Sequence, residues 1–491
     1  MSGRSWPLEP DDTTMAAWLS QASEVVRTHL NGLADAPARG AVGAQGLAVA
    51  QAVSIPISEG PLLGGMPAAL ARVGRAAQAS LGTAGPGYLA YIPGGGLPSA
   101  AISTLIADSF NRYTGLTAAA PALCRLEADV IAWLARQFGL PSGSTRGLLT
   151  SGGSLANFSA LVTARHRAFG DSGDYSRAVL YASSQAHHSV AKAAALAGIP
   201  SRGVHIVATD ARYRLDAADL AAQVKADLDA GLRPFAVVSA AGTTNTGAVD
   251  PLAAIADIAQ ANGLWHHVDA AYGGGFVLCE RGKALLAGIE RADSITFDPH
   301  KGMFMPYGAG CLLVRDGAAL RSAHGAAAPY LQDFNAFDRD GEAPSPSDYG
   351  PELSRPFRGL ALWLPLVLHG AAAFRDAVAE KLALAQYFHD GLRKLIEQGT
   401  PIEIVDAPQL SVVPFRLQRA PSEPLPAWNE RNAKWMAKTN ARLRVYLSST
   451  TLPVADGSAF TLRVCVLSFR THQADIDACL ADLAASWSAA Q

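Results

Sequence analysis

The chain has 491 residues, 49% of them hydrophobic and 17% charged, with a net charge of −2. That length supports a large core with a smaller lobe beside it, and the composition is that of a folded chain, not a disordered one. Near-neutrality gives no electrostatic footprint for nucleic acid or an anionic membrane, and no apolar run reaches the roughly 18 residues of a membrane span.

Taken in chain order, the opening Met1–Asp12 lacks the apolar core of a signal peptide, so a cytoplasmic location is expected. Residues 13–32 carry a helical stripe of Met15, Trp18, Leu19, Ala22, Val25, Val26 and Leu30. Residues 37–98 are rich in Gly, Ala and Pro and predict an extended arm with short helices. After an amphipathic helix at Ala122–Phe138, short apolar runs at Arg177–Tyr181, Gly203–Val207, Phe235–Ser239, Leu264–Asp269 and Ser294–Phe297 predict strands. Helical stretches lie between or beside them at Ser154–Ala168, His187–Ala197, Asp216–Ala230 and Pro251–Ala261. That alternation predicts an α/β fold, a mostly parallel sheet with helices on both faces. Gly308–Val314 follows its neighbour too closely for a crossover, which predicts an antiparallel strand. The stretch 323–356, rich in Gly, Ala, Pro, Asp and Ser, predicts a long loop that is functional or mobile. A long helix follows over 357–395 with a bend near Gly370, then strands at Ile402–Val405, Leu410–Phe415, Val445–Ser448 and Thr461–Leu467 and a last helix from His472. The expected organisation is an N-terminal helical arm (1–98), a large domain (99–370) and a small C-terminal α+β domain (371–491).

The chemistry gathers at strand ends. In Asp298-Pro-His-Lys301, Lys301 stands just past a strand, and a lysine held in a partly dry pocket can attack a carbonyl to form a Schiff base. Asp269 closes another strand in His266-His-Val-Asp-Ala-Ala-Tyr272. A Schiff-base lysine with an acid able to hold a pyridinium nitrogen is the pairing that pyridoxal phosphate requires. Thr150-Ser-Gly-Gly-Ser-Leu-Ala-Asn157 opens a helix, where small residues and free amides suit a phosphate; it lacks the lysine of a P-loop. Ser183-Ser-Gln-Ala-His-His-Ser-Val190 places histidines at another strand-to-helix junction, as ring-stacking groups or as a helix cap. Gly242-Thr-Thr-Asn-Thr-Gly-Ala-Val-Asp250 offers hydroxyls at a fourth. The five cysteines are scattered without CxxC spacing and predict reduced thiols and no metal site.

These residues resemble the group II pyridoxal-phosphate-dependent amino acid decarboxylases, the family containing aromatic L-amino acid decarboxylase, over about residues 80–470. The resemblance rests on Asp298-Pro-His-Lys301, His267-Val-Asp-Ala-Ala-Tyr272, Ala186-His-His-Ser189, Ser354-Arg-Pro-Phe-Arg358 with Leu362-Trp363, Pro86–Pro93, and Pro121–Glu127. It implies fold type I, an obligate homodimer with its sites at the subunit boundary, and Lys301 as the Schiff-base lysine. It further implies His187 stacked on the cofactor ring, Asp269 on the pyridinium, Ala271 under the ring, Gly153 and Ser154 on the phosphate, and Thr244 near the cofactor. Asp298 and His300 would flank the phosphate and reaction centre. Departures from the family fall at Leu155, Gly302-Met303 and Gly94, and bear on the substrate more than on the cofactor.

The resemblance implies decarboxylation of an L-amino acid to its amine and CO₂. Tyr88, Tyr91, Ile92 and Pro93 suggest an apolar, aromatic substrate wall, and Ser354 lies near a position that biases relatives between phenolic and indolic side chains. An aromatic amino acid is the leading substrate. Relatives reprotonate the product with a loop tyrosine; Tyr330 and Tyr349 are the candidates, with Tyr349 favoured. A hydrophobic residue at that position would predict an aldehyde synthase, and Arg463 keeps an aminotransferase open.

Overall fold

The computed structural model describes residues 8–41, 43–171, 173–325, 329 and 345–488. Seven strands form the large sheet: β1 (Arg146–Thr150), β2 (Ala178–Ser183), β3 (Val204–Val207), β4 (Arg233–Ala240), β5 (Trp265–Asp269), β6 (Ser294–Phe297) and β7 (Gly310–Val314). Their order is β1-β7-β6-β5-β4-β2-β3. Strands β3, β2, β4, β5 and β6 pair in parallel, and β7 is antiparallel to both β6 and β1. Too few residues join β6 to β7 for a long crossover helix, so the chain must reverse there.

Successive side chains of a strand point to opposite faces. On β2, Leu180 and Ala182 pack with Ala156, Ala160 and Leu161 of the helix Gly153–Phe169. Val179 and Tyr181, one residue out of phase, pack with Leu220 and Val224 of the helix Ala217–Asp229 and Ile255 of the helix Leu252–Ala261. Both faces are therefore covered, and β2, β6 and β7 are buried along their whole length; β7 is apolar throughout, and β2 nearly so. The strand order reverses between β2 and β4. Such a reversal opens a crevice beyond the carboxyl ends of the strands, where sheets of this kind bind ligands.

The smaller sheet is antiparallel, with β8 (Ile402–Ile404), β9 (Val412–Leu417), β10 (Ser448–Val454) and β11 (Gly457–Cys465) in the order β10-β11-β9-β8. Val413, Phe415, Leu462 and Val464 bury against Trp435 of the helix Leu425–Asn440, Ile476 of the helix Gln473–Ser488, and Leu384, Phe388 and Leu392 of the helix Gly359–Glu397. That last helix breaks at Gly370 (φ 75°, ψ 155°), a conformation open to a residue without Cβ. The helix Leu425–Asn440 and strand β1 were not anticipated, and β10 starts where a strand had been expected to end. Residues 87–89 are fixed to the smaller sheet: Leu89 N–H donates to Tyr446 O at 3.0 Å, and Cys465 N–H donates to Leu89 O at 2.9 Å.

The helix Asp12–Gly32 buries none of its residues in this chain. Its apolar stripe, including Met15, Leu19, Val25 and Val26, faces outward, as do Ile102, Leu105 and Phe110 of the helix Pro98–Phe110.

Candidate active site

A cavity of about 290 Å³ opens at the carboxyl end of the large sheet. Each wall comes from a strand's exit: Ser151–Leu155 after β1, His187 and Ser189 after β2, Gly242–Thr244 after β4, Asp269 and Ala271 at the end of β5, and Asp298, His300 and Lys301 after β6. Lys301 is the one primary amine in the lining. Its Nζ sits 2.9 Å from Asp298 Oδ2, while Asp298 Oδ1 is buried with no hydrogen-bond partner among the described residues.

The polar groups are held in defined orientations. His300 Nδ1 lies 2.7 Å from the carbonyl of Ala309, which can only accept, so Nδ1 carries the proton and Nε2 presents a lone pair. Burial lowers the pKa of His300, keeping the ring neutral. Burial likewise lowers that of His187, whose Nδ1 lies 2.7 Å from Ser189 Oγ. Asp269 Oδ2 accepts a hydrogen bond from Asn157 Nδ2 at 2.9 Å, and its Oδ1 accepts one from the Ala271 N–H at 3.1 Å.

All nine residues expected to bind the cofactor (Gly153, Ser154, His187, Thr244, Asp269, Ala271, Asp298, His300 and Lys301) line this one cavity. Of the substrate candidates, Tyr91 is exposed and Pro93 buried on a segment that crosses the His300 side. A Cβ on Gly94 there would stand 3.0 Å from His300 O and from the Tyr307 ring. Two expectations are corrected. Tyr349 does not face the cavity; it is buried with Leu148, Leu312 and Leu320, against the helix Gly317–His324. Ser354 is exposed and does not line it either, because the adjoining Arg355 is drawn into the core by Glu127, 2.5 Å away. Tyr330 lies outside the described residues. Arg463 is buried with no carboxylate partner among the described residues, its Nη2 donating to Thr244 O at 2.6 Å and its Nη1 to Ser448 Oγ at 2.9 Å. Ser448 Oγ also accepts the Tyr91 N–H at 2.9 Å, so this arginine braces the segment around Tyr91 and the cavity wall at Thr244 together. Asn157 and Ser189 were missed as members of the site; a lone buried amide one turn into an otherwise small-residue helix face was the available signal.

The lining fits pyridoxal phosphate. The helix Gly153–Phe169 enters the cavity with no side-chain cap on its first amides, leaving donors for a phosphate. A Cβ on Gly153 would stand 3.1 Å from Asp298 Oδ2 and 3.2 Å from Ala271 Cβ, filling that cradle. The orphaned Asp298 oxygen and the single amine complete a donor set suited to an aldehyde, a ring and a phosphate.

Comparison with known proteins agrees. The pyridoxal-dependent decarboxylase conserved domain matches residues 82–418. An aromatic-L-amino-acid decarboxylase of Bacillus atrophaeus is 35% identical over 386 residues, 79% of this chain and 78% of that protein. A phenylacetaldehyde synthase of Arabidopsis thaliana is 30% identical over 376 residues, 75% of each chain. Among solved structures, Oryza sativa TDC with PLP and tryptamine superimposes with a TM-score of 0.89 at 28% identity, covering 99% of this chain and 100% of that one.

Proposed function

The chain belongs to the pyridoxal-dependent decarboxylase family and is a pyridoxal-phosphate-dependent carboxy-lyase acting on an amino acid; we propose that its substrate is an aromatic L-amino acid and that it works as a cytoplasmic homodimer. The observation that carries the reading is the convergence of Lys301, Asp269 and His187 on one cavity with an uncapped helix start. Bound there, pyridoxal phosphate supplies an electron sink for the pair left behind when the carboxylate departs as CO₂.

The chain's own groups would divide the remaining work. Lys301 supplies the amine that tethers the cofactor, and Asp298 holds that amine in place from 2.9 Å. Asp269 offers a carboxylate oxygen to the ring nitrogen, a charge-assisted hydrogen bond. His187 would cover one ring face and Ala271 the other. Ser154 and the amides at Gly153 would take the phosphate. The Nε2 lone pair of His300 can accept or return a proton at the reacting centre. An aromatic substrate is supported by the apolar, tyrosine-bearing segment Tyr88–Pro93 beside His300, and by the Bacillus relative. Self-association is supported by the outward apolar stripes of the helices Asp12–Gly32 and Pro98–Phe110.

A second product is favoured by one observation, the 30% identity over 75% of this chain to the Arabidopsis phenylacetaldehyde synthase: with dissolved oxygen as oxidant and water as the oxygen donor, the skeleton would leave as aldehyde, with CO₂, ammonia and hydrogen peroxide, in place of amine and CO₂. Incubating purified holoenzyme with single aromatic amino acids, and reading CO₂, amine, aldehyde and peroxide together, separates the two. Borohydride reduction followed by peptide mapping should place the cofactor on Lys301, and Asp269→Ala should lower kcat by several orders of magnitude while some cofactor stays bound. Labelling elsewhere, or near-normal turnover in Asp269→Ala, would overturn the assignment.

A further inference from the structure

Behind Asp269 and His187 lies a buried line of polar side chains that the reaction does not touch. Trp265 Nε1 is 2.7 Å from Ser294 Oγ, which is 2.8 Å from His267 Nδ1. His267 Nε2 is 3.0 Å from Asn157 Oδ1. Asn157 Nδ2 then forks, to Asp269 Oδ2 at 2.9 Å and to Ser189 Oγ at 3.0 Å, and Ser189 Oγ meets His187 Nδ1 at 2.7 Å. None of these side chains except those of Asp269 and His187 is more than 9% exposed, so water does not compete for the bonds.

Both ends of the line fix its direction. An indole N–H can only donate, so Ser294 Oγ accepts from Trp265 and turns its own proton to His267 Nδ1. A carboxylate accepts, so the amide nitrogen of Asn157 must face Asp269, and its oxygen must face His267. That oxygen needs a donor, which places the proton of His267 on Nε2. Thr296 Oγ1, 3.4 Å from the same nitrogen, is too distant to reverse the choice. Burial pushes the pKa of His267 down to about 4, so one proton is all it carries near neutrality. The second branch runs the same way: Ser189 accepts from Asn157 and gives its proton to His187 Nδ1, leaving the N–H of a neutral His187 on Nε2.

We infer that Trp265, Ser294, His267 and Asn157 form a one-way hydrogen-bond chain that positions Asp269 and sets the tautomer of His187, making them positioning residues for the decarboxylation. The inference rests on the roles proposed above for Asp269 and His187, but the direction of the chain can be read without activity. In ¹⁵N-histidine spectra of the apoprotein, His267 should be a neutral Nε2–H ring that does not titrate between about pH 5 and 8, and His187 should share that tautomer when neutral. Trp265→Phe, which keeps a ring, and Ser294→Ala each break the chain outside the cavity. Both should retain borohydride labelling of Lys301, lower kcat roughly two- to tenfold with KM little changed, and alter the His267 spectrum, since the neutral hydrogen bond that each removes carries about that factor.

An Nδ1–H ring at His267 in the unmodified protein would overturn the chain even if neither variant folds. Folded variants with unchanged kcat would overturn its role in the reaction. Failure of Lys301 labelling in the unmodified holoenzyme would instead overturn the function reading and leave the spectra standing.

Discussion

Gly302 tests how tightly the reactive amine is seated. The helical turn Pro299–Gly302 carries Lys301 and rests backbone to backbone on the turn Gly273–Leu278. A Cβ built on Gly302 would stand 2.7 Å from Gly275 Cα, and one on Gly275 would stand 2.5 Å from Gly302 Cα. Ordinary contact begins near 3.4 Å, so Gly302→Ala must drive the two turns apart by about 0.7 Å, and no flexible side-chain end is there to yield. Overpacking of this kind costs about 1–3 kcal/mol of stability. The larger effect falls on Lys301, one residue away: displacing a reacting group by roughly 1 Å can cost about 100-fold in rate. The assay is kcat with thermal melting, alongside Gly74→Ala, whose new methyl meets nothing within 4 Å and should be neutral or slightly stabilising. If Gly302→Ala keeps both kcat and melting temperature, the two turns are not in the tight contact that fixes the lysine, and the reasoning fails.

Three other perturbations follow from the same structure. Arg355→Met leaves Glu127 buried and unpaired and should lose about 3–5 kcal/mol in denaturant melts, most of it recovered in the double variant with Glu127→Leu. Acidification should destabilise the apoprotein. Burial pushes His266 and His267 down to about 3 and about 4, so the stability they contribute is complete above about pH 6.5 and declines as pH falls toward those values. Asp250, raised to about 6 by burial, and Asp293, raised likewise, work in the opposite sense, but His187, His300 and His324 are also lowered by burial and add to the loss, so stability should fall on balance; a melting temperature that holds steady from pH 7 to 5 would contradict this. Finally, Leu19→Asp with Val26→Asp places charge on the outward stripe of the helix Asp12–Gly32 and should convert dimer to monomer by light scattering, with little change in the monomer's far-UV dichroism.

Much of the large lobe was legible because strands such as β2, β4 and β7 are buried on both faces and carry short apolar runs between helical stretches. The residues that line the cavity were legible because they stand where strands of the large sheet end. The small lobe was harder. Strand β10 reads Ser-Ser-Thr-Thr-Leu-Pro-Val, half-exposed and polar, so burial left little trace in its sequence. The helix Leu425–Asn440 turns charged residues to solvent and buries Trp428, Asn432 and Trp435, too mixed a face to stand out. Tyr349 misled because residue type and loop position suit a proton donor, while its direction is set by packing against Leu148 and Leu320, information carried by neighbours distant in sequence. Asn157 was overlooked for the converse reason: its partners come from β5 and from the turn after β2, and pairing appears only on folding.

The brace formed by Arg463 and Ser448 bears on how members of such a family can diverge or be recombined. One guanidinium and one hydroxyl, both from the smaller sheet, grip Thr244 of the larger lobe and the backbone at Tyr91. A chimera spliced at the helix Gly359–Glu397 would inherit the segment around Tyr91 from one parent and its anchor from the other. Lobes are thus poor units of exchange here: a graft intended to change which amino acid is accepted should carry residues 86–96 together with β10 and β11, or expect a misaligned pocket mouth in an otherwise well-folded protein.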